Sequence, residues 1–151
     1  MSQINIKKAL KLKNKLLSDI NKEWQKVSQY NSCVIGGNMP YDVKASYEKW
    51  HQLKGKLVEL KTKIHLANAP VYEVIFAMSE MKDSCKLLSS LGCNEGTIID
   101  RYGRNETPLV YTAIISISEN EKNIILLEKK IEELQDVLET HNASTKIEFE
   151  I

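Results

Sequence analysis

The chain has 151 residues, of which 42% are hydrophobic and 27% are charged, and its formal net charge is +1. This length fits a single domain, residues 1–151, with one hydrophobic core. The longest uncharged apolar runs are far shorter than the ~20 residues of a membrane-spanning helix, and the lysine-rich start lacks the apolar segment of a signal peptide. We therefore expect a cytoplasmic protein without membrane contacts.

The small net charge conceals an asymmetry between two parts of the chain. Residues 1–65 carry thirteen lysines and five acidic residues, a charge of +8, whereas residues 66–151 carry eight basic and fifteen acidic residues, a charge of −7. A lysine-rich segment can bind nucleic acid by neutralising phosphates. Because an acidic part of nearly equal charge lies in the same chain, we expect the two parts to attract each other, within one chain or between subunits. A nucleic acid polymer is not expected as a partner.

The first predicted element is a long amphipathic helix between Ile6 and Val27, where apolar residues recur at spacings of three and four. The apolar stripe is narrow, as in a coiled coil. Lysines cover the opposite face, which we interpret as solvated, with a nucleic-acid face as the alternative. Glycine and proline in the segment 36–40 end the helix. The predicted seam consists of Ile6, Leu10, Lys13, Leu17, Ile20, Trp24 and Val27.

Asp42 can cap a second helix, which repeats this stripe as far as Ala67. Two long helices joined by a short turn predict an antiparallel hairpin. Asn68 and Pro70 end the second helix, and a shorter third helix follows and ends at Gly92. The residues predicted to face inward are Val43, Tyr47, Trp50, Leu53, Leu57, Leu60, Ile64 and Ala67 on the second helix, and Val74, Ile75, Met78, Met81, Cys85 and Leu88 on the third.

The segment from Val110 to Ile117 is β-branched and aromatic rather than helical in period, and it predicts a strand. Ser118 and Glu121 form a capping box for a fourth helix, whose stripe continues from Ile117. The tail, residues 145–151, alternates between polar and apolar residues, which predicts a half-buried strand that pairs with the strand at 110–117. The outer face of the fourth helix is acidic, so that the lysine-rich first helix is its expected neighbour. Its acidic residues are Glu128, Glu132, Glu133, Asp136 and Glu139.

These elements predict the fold class. We expect a mainly α protein in which a long antiparallel helical hairpin and two further helices form a bundle. A small β-hairpin or two-stranded sheet is expected at residues ~97–117 and 145–151.

The segment from Asp100 to Pro108 is poorly explained by packing, and it is the predicted ligand site. Arg101 and Arg104 offer planar donor groups suited to a phosphate or carboxylate, and Tyr102 offers a ring on which a base can stack. Together with Thr107 they suit a phosphorylated, aromatic small ligand such as a nucleotide. The alternative is an ordinary hairpin loop whose arginines pair with nearby acids or with acids of a neighbouring subunit.

No catalytic constellation is recognised in the sequence. Cys93 is the best candidate nucleophile, but nothing specifies that it meets one of the three histidines. A Walker A motif, a G-x-S-x-G elbow and an H-E-x-x-H motif are all lacking. His65 and His141 end two helices in a similar way, yet no carboxylate or thiol accompanies them at ligand spacing. The three cysteines lack C-x-x-C spacing, so we expect neither a disulfide framework nor a metal site. Because no catalytic motif is present, we also expect no cofactor and no enzymatic activity.

The chain resembles a family of small, largely uncharacterised bacterial helical proteins, some of which are called septicolysin. The resemblance rests on the lysine-bearing first helix, the helix exit from Ile64 to Asn68, the R-Y-x-R-x-E stretch from Arg101 to Glu106, and the closing helix that ends at Asn142. The R-Y-x-R-x-E stretch is its most specific part. The resemblance implies a helical, oligomeric protein and says little about activity.

We therefore predict a non-catalytic homo-oligomer that binds or sequesters a small anionic ligand through Arg101, Tyr102, Arg104 and Thr107. A cyclic or other nucleotide signal is a plausible ligand, by analogy with viral sponge proteins that suppress immunity. The protein would then act in the cytoplasm of a bacterial cell or of a phage-infected host cell. The alternative is a structural or partner-binding helical module without a small-molecule ligand.

Overall fold

The structure is a computed structural model that describes residues 2–98 and 109–150. It confirms the predicted mainly α fold, with a long helical hairpin and small two-stranded sheets. In the described part of the chain the helices are α1 (Ile6–Tyr30), α2 (Val43–Ala67), α3 (Tyr72–Ser89) and α4 (Ile117–Ser144), with a short 3-10 helix at Ala69–Val71. The strands are β1 (Ser2–Asn5), β2 (Gly96–Ile98), β3 (Leu109–Tyr111) and β4 (Lys146–Phe149).

The described residues form two compact units. Residues up to Tyr72, together with those from Glu139 onward, form the first unit, and Glu73–Leu138 form the second. Most of the buried apolar side chains belong to the first unit, whereas Met78 belongs to the second. Those of the first unit are Ile4, Ile6, Ala9, Leu16, Ile20, Val27, Leu57, Leu60, Ile64, Val71, Ile147 and Phe149.

Side-chain caps set where the two hairpin helices begin. The side chain of Asn5 accepts a 2.9 Å hydrogen bond from the backbone N–H of Lys8, at the start of α1. Asp42 accepts one of the same length from Ala45, so the predicted cap of α2 is confirmed. Such caps satisfy N–H groups that have no partner within the helix. Each helix of the hairpin therefore begins at a residue set by a local contact.

The seam of α1 agrees with the prediction at Ile6, Ile20 and Val27, which are buried, but at two other positions the buried residue lies one place earlier in the chain. Leu16 and Glu23 are buried, whereas Leu17 and Trp24 are 38% and 45% exposed, so the prediction that Leu17 and Trp24 face the core was wrong. Adjacent residues of a helix point about 100° apart, and because Leu16 and Leu17 are both apolar, the sequence did not decide which of the two faces the core. Ala9 is fully buried in the observed register, where its small side chain permits close packing.

The same one-residue shift occurs near the start of α2. Ser46 is buried, whereas Tyr47, which was predicted to face inward, is 45% exposed. The side chain of Ser46 faces the buried carboxylate of Glu23, to which it is hydrogen-bonded. Near this end of the hairpin, where residues 31–42 connect the two helices, polar side chains occupy the interior and aromatic rings lie outside.

The tail strand has a different partner from the predicted one. β4 pairs in antiparallel fashion with β1, in the register Ser2↔Phe149 and Ile4↔Ile147, and not with the segment 110–117. Ile4, Ile147 and Phe149 are all buried, and they pack in the same core cluster as residues of α1 and α2. The burial of this apolar face explains the choice of partner.

The strand that precedes α4 is shorter than predicted. β3 ends at Tyr111, and α4 already begins at Ile117. The hydroxyl of Ser116 accepts a 3.1 Å hydrogen bond from the backbone N–H of Glu119, so Ser116 caps the helix instead of Ser118. Both serines precede a glutamate by three residues, and the sequence pattern therefore allowed either choice.

Candidate functional site

A buried carboxylate joins the two helices near the connected end of the hairpin, where residues 31–42 link α1 to α2. The side chain of Glu23 on α1 keeps only 7% of its accessible surface. It accepts a 2.9 Å hydrogen bond from Nζ of Lys49 on α2 and 3.1 Å hydrogen bonds from Nζ of Lys26 on its own helix. A buried carboxylate is stable only when its charge is paired in this way. The Glu23 network therefore holds the polar interior of the hairpin together.

The surroundings of Glu23 favour its ionised form. The hydrogen bond from Lys49 is the main reason that the pKa of Glu23 lies below its ordinary value. Burial opposes this effect, and hydrogen bonds from Lys26 and Ser46 support it. The pKa of Lys49 is raised by the same hydrogen bond. The positive charges of Lys26 and Lys49 are thus paired with the carboxylate of Glu23.

Four aromatic rings lie together beside this network, and we call Trp24, Tyr47, Trp50 and His51 the aromatic face. Trp24 of α1 contacts Trp50 of α2 with ring centroids 4.9 Å apart. Tyr47 stacks on Trp50 at 5.8 Å, and His51 meets both rings edge-on at 4.7 Å. Nζ of Lys54 lies 4.1 Å from the centroid of Trp50. The face contains both tryptophans of the chain.

The aromatic face remains open to solvent and borders an apolar groove. Trp24 and Tyr47 are each 45% exposed. A groove of about 500 Å³ is bordered by these two rings and lined by the apolar side chains of Val27, Met39 and Val43. Ring edges and aliphatic walls of this kind bind apolar and aromatic groups.

A second groove near the Glu23 network is polar. It has a volume of about 430 Å³, and both Glu23 and Lys49 line it. Its other lysines also have acidic or aromatic partners, because Lys22 lies 3.8 Å from Asp19 and Lys26 lies 5.4 Å from the ring centroid of Tyr41. With its charges paired in this way, the groove offers little to a free anion.

The predicted ligand residues Arg101, Tyr102, Arg104 and Thr107 lie outside the described residues. The strands on either side of them are described. β2 and β3 form an antiparallel pair in the register Ile98↔Leu109, so residues 99–108 connect the two strands of a β-hairpin. The expectation of a hairpin at this place is confirmed, and its connection carries the predicted ligand residues.

The other candidate chemical groups are not brought together. Cys93 lines a groove of about 500 Å³ with Asn120 and Glu121, and no histidine is among its described lining residues. His65 bonds to Tyr72, and Nδ1 of His141 lies 3.2 Å from the hydroxyl of Thr145. Within residues 2–98 and 109–150, no three histidine, cysteine or acidic side chains are grouped to hold a metal ion.

None of the helices in the described ranges combines the length and the apolar character needed to cross a membrane.

The chain is similar to one protein of known structure. This protein is described as a functionally unknown conserved protein from Corynebacterium diphtheriae, and its crystal structure has a TM-score of 0.77 to this chain. The match has 16% sequence identity and covers 97% of this chain and 100% of the other. No family model and no curated protein matches the chain. The similarity therefore shows the fold alone.

Proposed function

We propose that the protein is a non-catalytic helical module whose aromatic face docks onto a protein partner. The observation that carries this proposal is the clustering of both tryptophans with Tyr47 at a half-exposed surface of the hairpin. Tryptophan and tyrosine contribute more binding energy to protein interfaces than other residue types, because they bury large rigid surfaces. The adjacent apolar groove would receive a side chain of the partner.

The charges around the aromatic face favour a protein over a nucleic acid. Residues 19–54 contain five lysines and four acidic residues, so the local net charge is only +1. Lys26 and Lys49 are held by Glu23, which leaves few cations for a phosphate backbone. Binding to nucleic acids depends on several unpaired basic groups along a surface. A partner with apolar side chains and a few acidic ones fits this surface better.

Affinity capture with matched variants tests the proposal. The tagged full-length protein is recovered from cells that produce it naturally, in parallel with the double variant Trp24→Ser/Tyr47→Ser and the control Leu66→Ser. Leu66 is 66% exposed and lies on α2, about 28 Å from Tyr47 along the helix. We expect one partner in stoichiometric amount with the wild type and the control, and its loss with the double variant. Equal recovery by all three proteins would refute the proposal.

A second candidate function is the binding of a small anionic ligand by residues 99–108. It is supported by the β2–β3 pair, because the pairing of Ile98 with Leu109 brings the two ends of this segment to one place. Two arginines and a tyrosine in that connection suit a nucleotide. Sequestration of a nucleotide signal, as in viral sponge proteins, would need no catalytic group. This candidate function includes the homo-oligomer and the cytoplasmic location that the sequence predicts.

A relationship to the septicolysin-like family is a further part of the second candidate. The R-Y-x-R-x-E stretch from Arg101 to Glu106 supports it most strongly. The same arginines would thus carry both the family resemblance and the ligand site. Calorimetric titration with nucleotides separates this candidate from the first one.

A further inference from the structure

A row of four side chains runs along α4 on a different face from its predicted inner seam. Leu126, Lys130, Glu133 and Val137 are spaced by four, three and four residues, so they lie on one face of the helix. Leu126 is 59% exposed and Val137 is 49% exposed, and both charged residues are exposed as well. Neither Lys130 nor Glu133 forms an ion pair with another described residue.

This row is complementary to itself when read in the opposite direction. About a twofold axis midway between Lys130 and Glu133, an antiparallel second copy of α4 would place its Val137 against Leu126. It would also place its Glu133 against Lys130. By symmetry each contact occurs twice, which is the defining property of an isologous interface. The apolar pairs lie at the two ends and the opposite charges lie in the middle.

From this register we propose that a second copy of the chain docks on α4 through Leu126, Lys130, Glu133 and Val137. The inference is independent of the proposed function, because the aromatic face belongs to the other compact unit. The surface is a single helix face, so the contact area is at the low end for protein interfaces. The dimer should accordingly dissociate on dilution, and added salt should weaken it because the central charges are exposed to solvent.

Charge reversal tests the register without disturbing the fold, since all the changed side chains are exposed. Sedimentation velocity of the full-length chain is measured over a range of concentrations. Lys130→Glu and Glu133→Lys should each abolish the dimer, because each places like charges opposite one another. The double variant Lys130→Glu/Glu133→Lys should restore it, because the two charges exchange places in both copies. An equimolar mixture of the two single variants should form a heterodimer, since every central pair is then opposite in charge.

The controls are Lys129→Glu and Glu132→Lys, which make the same charge changes next to the row. Both should dimerise like the wild type. The proposal is overturned if the wild type stays monomeric at every concentration. It is equally overturned if the double variant and the mixture fail to restore association, or if the controls lose it to the same extent as the single variants. Circular dichroism of each variant confirms that its helices are retained.

Discussion

Lys49 of α2 donates a 2.9 Å hydrogen bond to the buried carboxylate of Glu23 on α1, and this bond bridges the two helices near the end of the hairpin that residues 31–42 connect. It explains why the aromatic rings lie outside. Because Glu23 and Ser46 occupy the space between the helices, Trp24 and Tyr47 are left at the surface. The feature proposed to bind a partner is therefore a consequence of a polar interior.

Replacement of Glu23 by glutamine should destabilise the protein. The variant keeps the shape of the side chain but loses its charge, and hydrogen bonds to charged groups contribute about 1.5 to 3 kcal/mol. We expect the free energy of unfolding in urea at pH 7 to fall by an amount in this range. Asp19→Asn is the control, because the Asp19–Lys22 pair is exposed and 3.8 Å long. A change for Glu23→Gln as small as that for Asp19→Asn would contradict the structural role of Glu23.

The stabilisation by Glu23 should depend on pH in a defined direction. The pKa of this carboxyl in the folded protein lies below its ordinary value of 4.5. A group with a depressed folded pKa stabilises the protein above its unfolded pKa, and this stabilisation is lost as the pH falls through the folded pKa. The difference in unfolding free energy between wild type and Glu23→Gln should therefore be constant near neutrality and shrink below pH 4.5. A difference that does not shrink in acid would show that charge is not its cause.

The two serines near the start of α4 should differ in their effect on stability. Ser116 accepts the hydrogen bond from Glu119, so Ser116→Ala removes a helix cap and should cost about 1 kcal/mol. Ser118 lies inside the helix, and Ser118→Ala should be neutral or slightly stabilising, because alanine favours helices. Thermal unfolding followed by circular dichroism measures both. The reverse order would place the cap at Ser118, as the sequence alone suggested.

The arginines of the segment 99–108 should control any binding of small anions. Calorimetric titration of a panel of cyclic and linear nucleotides should yield a ligand whose affinity falls at least about 10-fold in Arg101→Ala and in Arg104→Ala, the loss expected for one charged hydrogen bond. Lys129→Ala removes a positive charge elsewhere and should leave the affinity unchanged. The second candidate function is excluded if no nucleotide binds, or if both arginine variants bind as well as the wild type.

Periodicity in the sequence located the helices well, but it left their rotation open. The stripe from Val43 to Ala67 and the cap at Asp42 gave α2 correctly, because many residues supported one assignment. The sequence did not show that Glu23, rather than Trp24, is buried on α1. A charged residue ranks below an aromatic one on any hydrophobic scale, and only the positions of Lys26 and Lys49 make its burial favourable. The spacing of three between Glu23 and Lys26 is a sequence signal for one of these contacts, whereas Lys49 lies 26 residues away and its contact could not be predicted from spacing.

The pairing of β1 with β4 was beyond the reach of sequence patterns. β1 has one apolar residue, Ile4, among its four residues, so it shows no alternating pattern, and its partner lies at the other end of the chain. The predicted strand from Val110 begins within one residue of β3 but was extended too far. The isoleucines at 114, 115 and 117 are typical of strands, yet α4 already begins at Ile117. The predicted ligand residues lie outside the described part of the chain, so they remain a prediction.

Photo-cross-linking at Tyr47 tests the proposed function most directly. Benzoylphenylalanine is introduced at position 47, where it keeps an aromatic ring on the aromatic face, and at position 66 as the exposed control. The full-length proteins are irradiated in cells that produce the protein naturally, and the adducts are identified by mass spectrometry. The proposal predicts one dominant adduct with a different protein from position 47 and none from position 66. The absence of an adduct at position 47, or the same adducts from both positions, would contradict a docking role for the aromatic face.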